Sequence, residues 1–296
     1  MKAVKSASSN LTLRKSLAMK GMQAAIAARS ATGRDQKSPV CVYEICEANK
    51  VTVRFNDISM EGMYDRAPVP RIHVSSLRPV ARRNFTCAHE LGHHVFGHGS
   101  TIDELRVDDA YEEKAPDEIL ADAFASFLLM PTLGIRDAFN RRGLSPEKAS
   151  PIELYAMACS FGVGQSTLVN HLAFSIGAIS RARRDFLGKT TPKAIRTALL
   201  EEEVPEHLTY ADEFWNSPTL DAEQDAFLLL PRGVVFDTDF LVPEKWMRDG
   251  VLLRAVRPGI SRVTIPGTDW ATYVRIARHR YIGLAKYRHL EESEDE

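Results

Sequence analysis

The sequence predicts an α+β protein: a small mixed sheet with two chemistry-bearing helices, a helix-turn-helix-like segment, and a small β-rich module at the end. Three observations predict it. Short β-prone runs bounded by Pro and Gly precede a helical segment that contains residues 86–98, and a second helical stretch follows at 116–131. Ser150-Pro151-Ile152-Glu153 is a capping-box pattern, followed a few turns later by Phe161-Gly162-Val163-Gly164, which reads as a tight connection. After residue 219 the pattern changes to short alternating runs between Pro and Gly turns. A length of 296 residues suits about two domains.

The first segment, 1–37, is rich in Lys, Arg, Ser and Ala and almost free of acids. It has no continuous apolar core, so it is not a secretory signal; it superficially resembles an organelle transit peptide. Its expected form is a basic arm, partly helical or disordered, with Leu11, Leu13, Leu17 and Met19 in one amphipathic helix. An organised domain is expected over 38–180. It opens with a short helix at 39–48 and strands at 51–56, 60–64 and 71–75, the last two separated by Pro68-Val69-Pro70.

The helix that follows contains Thr86-Cys87-Ala88-His89-Glu90-Leu91-Gly92-His93. Residues four apart on a helix lie about 40° apart around its axis, so His89 and His93 can present two imidazoles to one metal ion with Glu90 beside them. Two imidazoles suit zinc. A catalytic zinc takes three protein ligands and keeps one position open. The second helix supplies the third candidate, Glu118, with Asp122 four residues on and on the same face. Pro116 suits its first turn and Pro131 its stop. Asp122 is the natural acceptor for the free N–H of a ligand histidine. Gly92 in a helix interior implies a closely approaching backbone. A third histidine ligand of the metzincin type would need Gly at 96 and His at 99, where Phe96 and Gly99 stand. His98 therefore reads as a structural histidine at the helix end, and His94 as a packing residue. Cys87 lies about 200° round the helix from His89 and points away from the metal.

These two motifs, Phe85 to His93 and Glu118-x-x-Ala121-Asp122 through Met130-Pro131, resemble the ImmA/IrrE family of metallo-endopeptidases in order and spacing. The resemblance covers about 38–180. It implies a gluzincin-like catalytic domain in which His89, His93 and Glu118 hold one zinc ion and Glu90 is the catalytic base. Asp122 stands where Asn is more frequent in that family. Relatives of this kind commonly seat an extended substrate on an edge strand, which makes Arg71, Ile72, His73, Val74 and Ser75 the candidate substrate strand. Tyr64 and Tyr111 are candidate oxyanion donors, with nothing in the spacing to place them. The family further implies limited cleavage of a regulatory protein, commonly a helix-turn-helix repressor tied to a mobile element or a stress response.

The helix pair over 150–175 could in principle read bases through Gln165, Ser166, Thr167 and Asn170. Similar pairs beside the peptidase core of relatives look structural, so packing is the expected role. A helical and acidic connector spans 181–218, a β-rich module 219–290, and a disordered acidic tail 291–296. Strands are expected at 227–236, 251–256, 262–265, 272–277 and 281–287. The module is basic, with Trp270, Tyr273 and Tyr281 among its arginines, a mixture that also suits a solvated sheet face. A formal net charge of −1 argues against a general polyanion binder, so direct nucleic-acid binding is not expected. No wholly apolar run approaches membrane-span length. Four cysteines without a CxxC motif fit reduced thiols in the cytoplasm. The alternative reading is a non-proteolytic regulator that binds DNA or a repressor and retains the metal site.

Overall fold

The structure is a computed structural model that describes residues 2–66, 68–103, 115–203 and 207–290, with side chains from Thr12 onward outside 101–103. The chain runs through α1 (Lys2–Ala31), α2 (Val42–Ala48), β1 (Thr52–Asn56), β2 (Gly62–Asp65), β3 (Arg71–Ser75), α3 (Val80–Phe96) and β4 (Thr101–Asp103). Helices α4 (Pro116–Leu129), α5 (Thr132–Arg141), α6 (Pro151–Ser160) and α7 (Gln165–Asn170) follow. The last of these continues into a π-helical turn, His171–Ile176, before α8 (Arg181–Leu187) and α9 (Pro192–Leu200). The remainder is β5 (Leu208–Tyr210), β6 (Thr219–Glu223), β7 (Phe227–Pro231), β8 (Leu241–Trp246), β9 (Gly250–Ala255), β10 (Gly259–Thr264), β11 (Ala271–Ala277) and β12 (Gly283–Leu284). The α+β class read from the sequence is the one observed.

The first sheet has the order β12-β1-β3-β2-β4, with β1 and β3 parallel and the other pairs antiparallel. Alternation decides which faces are inward: Val53 and Phe55 of β1 and Ile72 and Val74 of β3 are buried. This order overturns the edge-strand expectation. The backbone of β3 is bonded to β1 on one side and β2 on the other, so Arg71, Ile72, His73, Val74 and Ser75 cannot accept a substrate as an added strand.

The basic N-terminal segment is also more than a frayed arm. Helix α1 lies along α4, and Gly21 makes that approach possible: a Cβ there would stand 2.6 Å from the Cβ of Ala123. Ala25 and Ala28 join the main core. Arg29 is fully buried and donates to the carbonyls of Leu128 at 2.6 Å, Asp35 at 2.8 Å and Ser38. It thereby satisfies a carbonyl left open at the end of α4. The stretch Pro116–Arg141 is apolar enough to pass for a membrane span, but Pro131 divides it into α4 and α5, and α4 is packed between α1 and α3.

The C-terminal module holds two small sheets, β10-β11-β6 and β5-β7-β9-β8, around a separate core that includes Trp215, Leu228, Leu253 and Trp270. The chain then returns. Gly283 and Leu284 pair with Phe55 and Arg54, so the expected strand at 281–287 shrinks to β12 and belongs to the first sheet. Ion pairs tie the two parts together. Asp221 of β6 meets Arg275 at 2.7 Å and Arg288 at 3.3 Å, and Arg275 reaches Glu44 of α2 at 2.9 Å. Arg83 of α3, itself buried, pairs with Glu223 of β6 at 2.7 Å.

Candidate metal centre

Helices α3 and α4 cross where neither presents bulk. A Cβ on Gly92 would lie 3.0 Å from the Cα of Ala121, so glycine sets the separation of the two helices, as its place in the helix interior suggested. Gly92→Ala is expected to force α4 outward. Overpacking of this kind costs about 1–3 kcal/mol, and the displaced helix carries Glu118 and Asp122. Thermal unfolding and metal retention against a chelator should both weaken; unchanged values for both would show that α4 can be reseated without harm.

The crossing brings three ligand atoms together. His89 Nε2 and His93 Nε2 are 3.0 Å apart, and Glu118 oxygens lie 3.4 Å from the first and 3.6 Å from the second. Donors held at about 2.0–2.2 Å around a tetrahedral ion are themselves roughly 3.3–3.6 Å apart; both Glu118 separations match this, and the two imidazoles, at 3.0 Å, stand slightly closer. Proton bookkeeping supports the fit. Asp122 accepts from His89 Nδ1 at 3.0 Å, which leaves His89 Nε2 with its lone pair. His98 presents Nε2 to Asp117 at 3.3 Å and its Nδ1 to His93 Nδ1 at 2.8 Å. With the His98 proton held toward Asp117, His93 donates from Nδ1, and its Nε2 too is a lone pair. Burial, and then the neighbouring His89, push the pKa of His93 down to about 4, so its imidazole is neutral at pH 7. Two lone pairs and a carboxylate converging in a buried corner call for a cation.

His98 is thus not a ligand; it acts as the orienting partner of one. Sequence spacing had placed it at the helix end, where Gly97 adopts the left-handed conformation (φ 70°) that turns the chain back over α3. His94 faces the other way and bonds the Tyr64 hydroxyl at 2.8 Å. Tyr64 is buried against α3 in this contact, away from the ligand trio. Tyr111 lies outside the described residues. Cys87 is buried with its Sγ 3.6 Å from that of Cys46, and burial raises its thiol pKa well above the ordinary range.

Glu90 is fully buried between the ligand helix and β2. Strand β2 can come this close only because residue 62 is glycine: a Cβ there would lie 2.4 Å from Thr86 Cγ2 and 3.1 Å from Glu90 Oε1. His89, Glu118 and Asp122 open onto a cleft of about 990 Å³ whose far wall is formed by α6, α7, α9 and β6. The geometry therefore offers a cation site and, beside it, room for a polypeptide segment.

Residues 46–172 match the family model of the IrrE N-terminal-like domain, peptidase family M78. This part of the chain is similar to an IrrE N-terminal-like domain. Comparison with curated proteins found none that matches. The domain's metallopeptidase character agrees with the His89, His93 and Glu118 cluster. The matched span takes in β1 through α7; α1 and the C-terminal module lie outside it and pack against it.

Proposed function

We propose that the protein is a zinc endopeptidase of the cytoplasm that makes limited cuts in a regulatory protein, with a helix-turn-helix repressor of a mobile element or stress response as the substrate class. The observation that carries this reading is the convergence of three ligand atoms, from His89, His93 and Glu118, beside a cleft that His89 and Glu118 line, with Glu90 next to His89 in the helix. Zinc held by His89, His93 and Glu118 would supply a Lewis acid for the scissile carbonyl and for the attacking water. Glu90 takes the proton from that water and delivers it to the departing amine. Asp122 and His98 keep the two imidazoles in the tautomers that leave Nε2 free to bind metal.

Limited rather than general digestion fits a cleft with a second wall. Gln165 is buried, and Ser166, Thr167 and Asn170 line the same cavity as His89. The residues that would read base edges in a DNA-binding helix pair are thus turned toward the cleft, which favours a substrate wall over nucleic-acid recognition. The test is mass spectrometry of new protein N-termini in cells producing the wild type or Glu90→Gln, under resting and stressed conditions. A discrete cut in a transcriptional regulator, present only with the wild type, is expected and names the substrate. Identical N-termini, with metal bound in both proteins, would replace this reading by that of a non-proteolytic regulator.

A further inference from the structure

We propose that the α9 wall of the cleft carries a carboxylate-binding subsite built on Arg196, which seats an acidic group of the polypeptide being cut. Arg196, on α9, is half-buried and lines the same cavity as His89 and Glu118. Its Nε is enclosed and has no hydrogen-bond partner among the described residues. No carboxylate among them lies within ion-pair distance of it. The acids nearby are already engaged: Glu223 with Arg83 at 2.7 Å and Asp221 with Arg275 at 2.7 Å. The Tyr155 hydroxyl is hydrogen-bonded to the Arg196 guanidinium and itself donates to the Leu208 carbonyl, but it is neutral and leaves the charge of Arg196 unbalanced.

Two histidines stand near Arg196, and neither supplies a counter-ion for it. His207 and His279 line the same cleft. Burial lowers the pKa of His207, and Arg196 is the next largest cause, so the guanidinium lies within electrostatic reach of that imidazole. A partly desolvated guanidinium without a counter-ion is costly to hold in a folded protein. Its planar fork of N–H donors matches a carboxylate in two parallel hydrogen bonds. Substrate charge, supplied at the moment of binding, would balance it. The inference rests on the peptidase reading of the metal centre, since that reading makes the cleft a polypeptide channel.

The carboxylate has two possible sources, an Asp or Glu side chain and the C-terminus of the chain being cut, and cleavage profiling separates them. Zinc-loaded full-length wild type, Arg196→Ala and Arg196→Glu are each incubated with a proteome-derived peptide library, free or amidated at the C-terminus, and the cut sites are read by mass spectrometry. Metal content and melting temperature are measured alongside, to confirm that the variants are folded. For a side-chain source, the wild type should select Asp or Glu at one fixed distance from the scissile bond, in both libraries. For a terminal source, cuts should fall at a fixed distance from free C-termini and vanish with amidation. Arg196→Ala should lose the selection by about tenfold or more, and Arg196→Glu should select Lys or Arg instead. The same preferences in wild type and Arg196→Glu would overturn the subsite. If the wild type cuts nothing, the peptidase reading fails, and the subsite is judged by binding alone. Fluorescence anisotropy would then compare amidated Ala-Glu and Ala-Gln repeat peptides on wild type and Arg196→Glu. Preference for the Glu peptide that reverses in the variant supports the subsite, and equal binding overturns it.

Discussion

Glu90→Gln is expected to keep its metal and to cut on the order of 10²–10⁴ times more slowly than the wild type, the range that a positioned general base contributes. The amide matches the carboxylate in size, so the packing of residue 90 against Gly62 and Thr86 is retained. It cannot take a proton. His93→Ala makes the complementary case, because it removes one of three ligand atoms and should lose both metal and cleavage. Metal content by elemental mass spectrometry, set beside kcat/KM on the same preparations, distinguishes the two. A Glu90→Gln enzyme with near wild-type kcat would mean that another group carries the proton. Full metal occupancy in His93→Ala would show that the metal is held elsewhere.

Asp221→Ala is expected to cost about 3–5 kcal/mol of stability, the range for breaking a buried ion pair from one side. Burial alone would raise the Asp221 carboxyl; Arg288 and Arg275 outweigh it and hold the group well below the usual carboxylate range. Removing it leaves two mostly buried guanidinium groups facing each other, and it weakens the hold of β6 on β12 and the turn that follows. Urea unfolding at pH 7 measures the loss, and a change below about 1 kcal/mol, typical of exposed pairs, would show that water reaches the cluster. The sign with pH follows from the lowered value. The stabilisation is complete above the unfolded-state pKa of about 3.9 and drains away as pH falls toward the folded-state value. Wild type should therefore lose stability below about pH 4 more steeply than Asp221→Ala.

Several features were legible in the sequence because they depend on residues within one or two helical turns. The separation of His89 from His93, and of Glu118 from Asp122, places each pair on one helix face. Pro116 starts α4, and α4 ends before Pro131. The Ser150 and Glu153 capping box is present in both directions. Other local signals were masked. Strand β8 was not foreseen because Pro243 reads as a breaker; the strand tolerates it at a sheet edge, with a register shift between Pro243 and Lys245. Strand β6 is short and polar in composition, and its role becomes clear only when Asp221 and Glu223 meet their arginines.

The sequence by itself determined the chemistry of the centre: which side chains can bind a cation, their helical spacing, and the carboxylate beside them. The tertiary structure alone decided what surrounds them. It set β3 in the middle of the sheet, folded α1 onto α4, and left Arg196 facing the cleft. The physical reason is range. Helical periodicity acts over four residues, whereas Arg275 meets Glu44 across 231 positions of chain and β1 pairs with β12 from the far end of the molecule. Such contacts are selected by the total burial and charge balance of the folded chain, which no local pattern encodes.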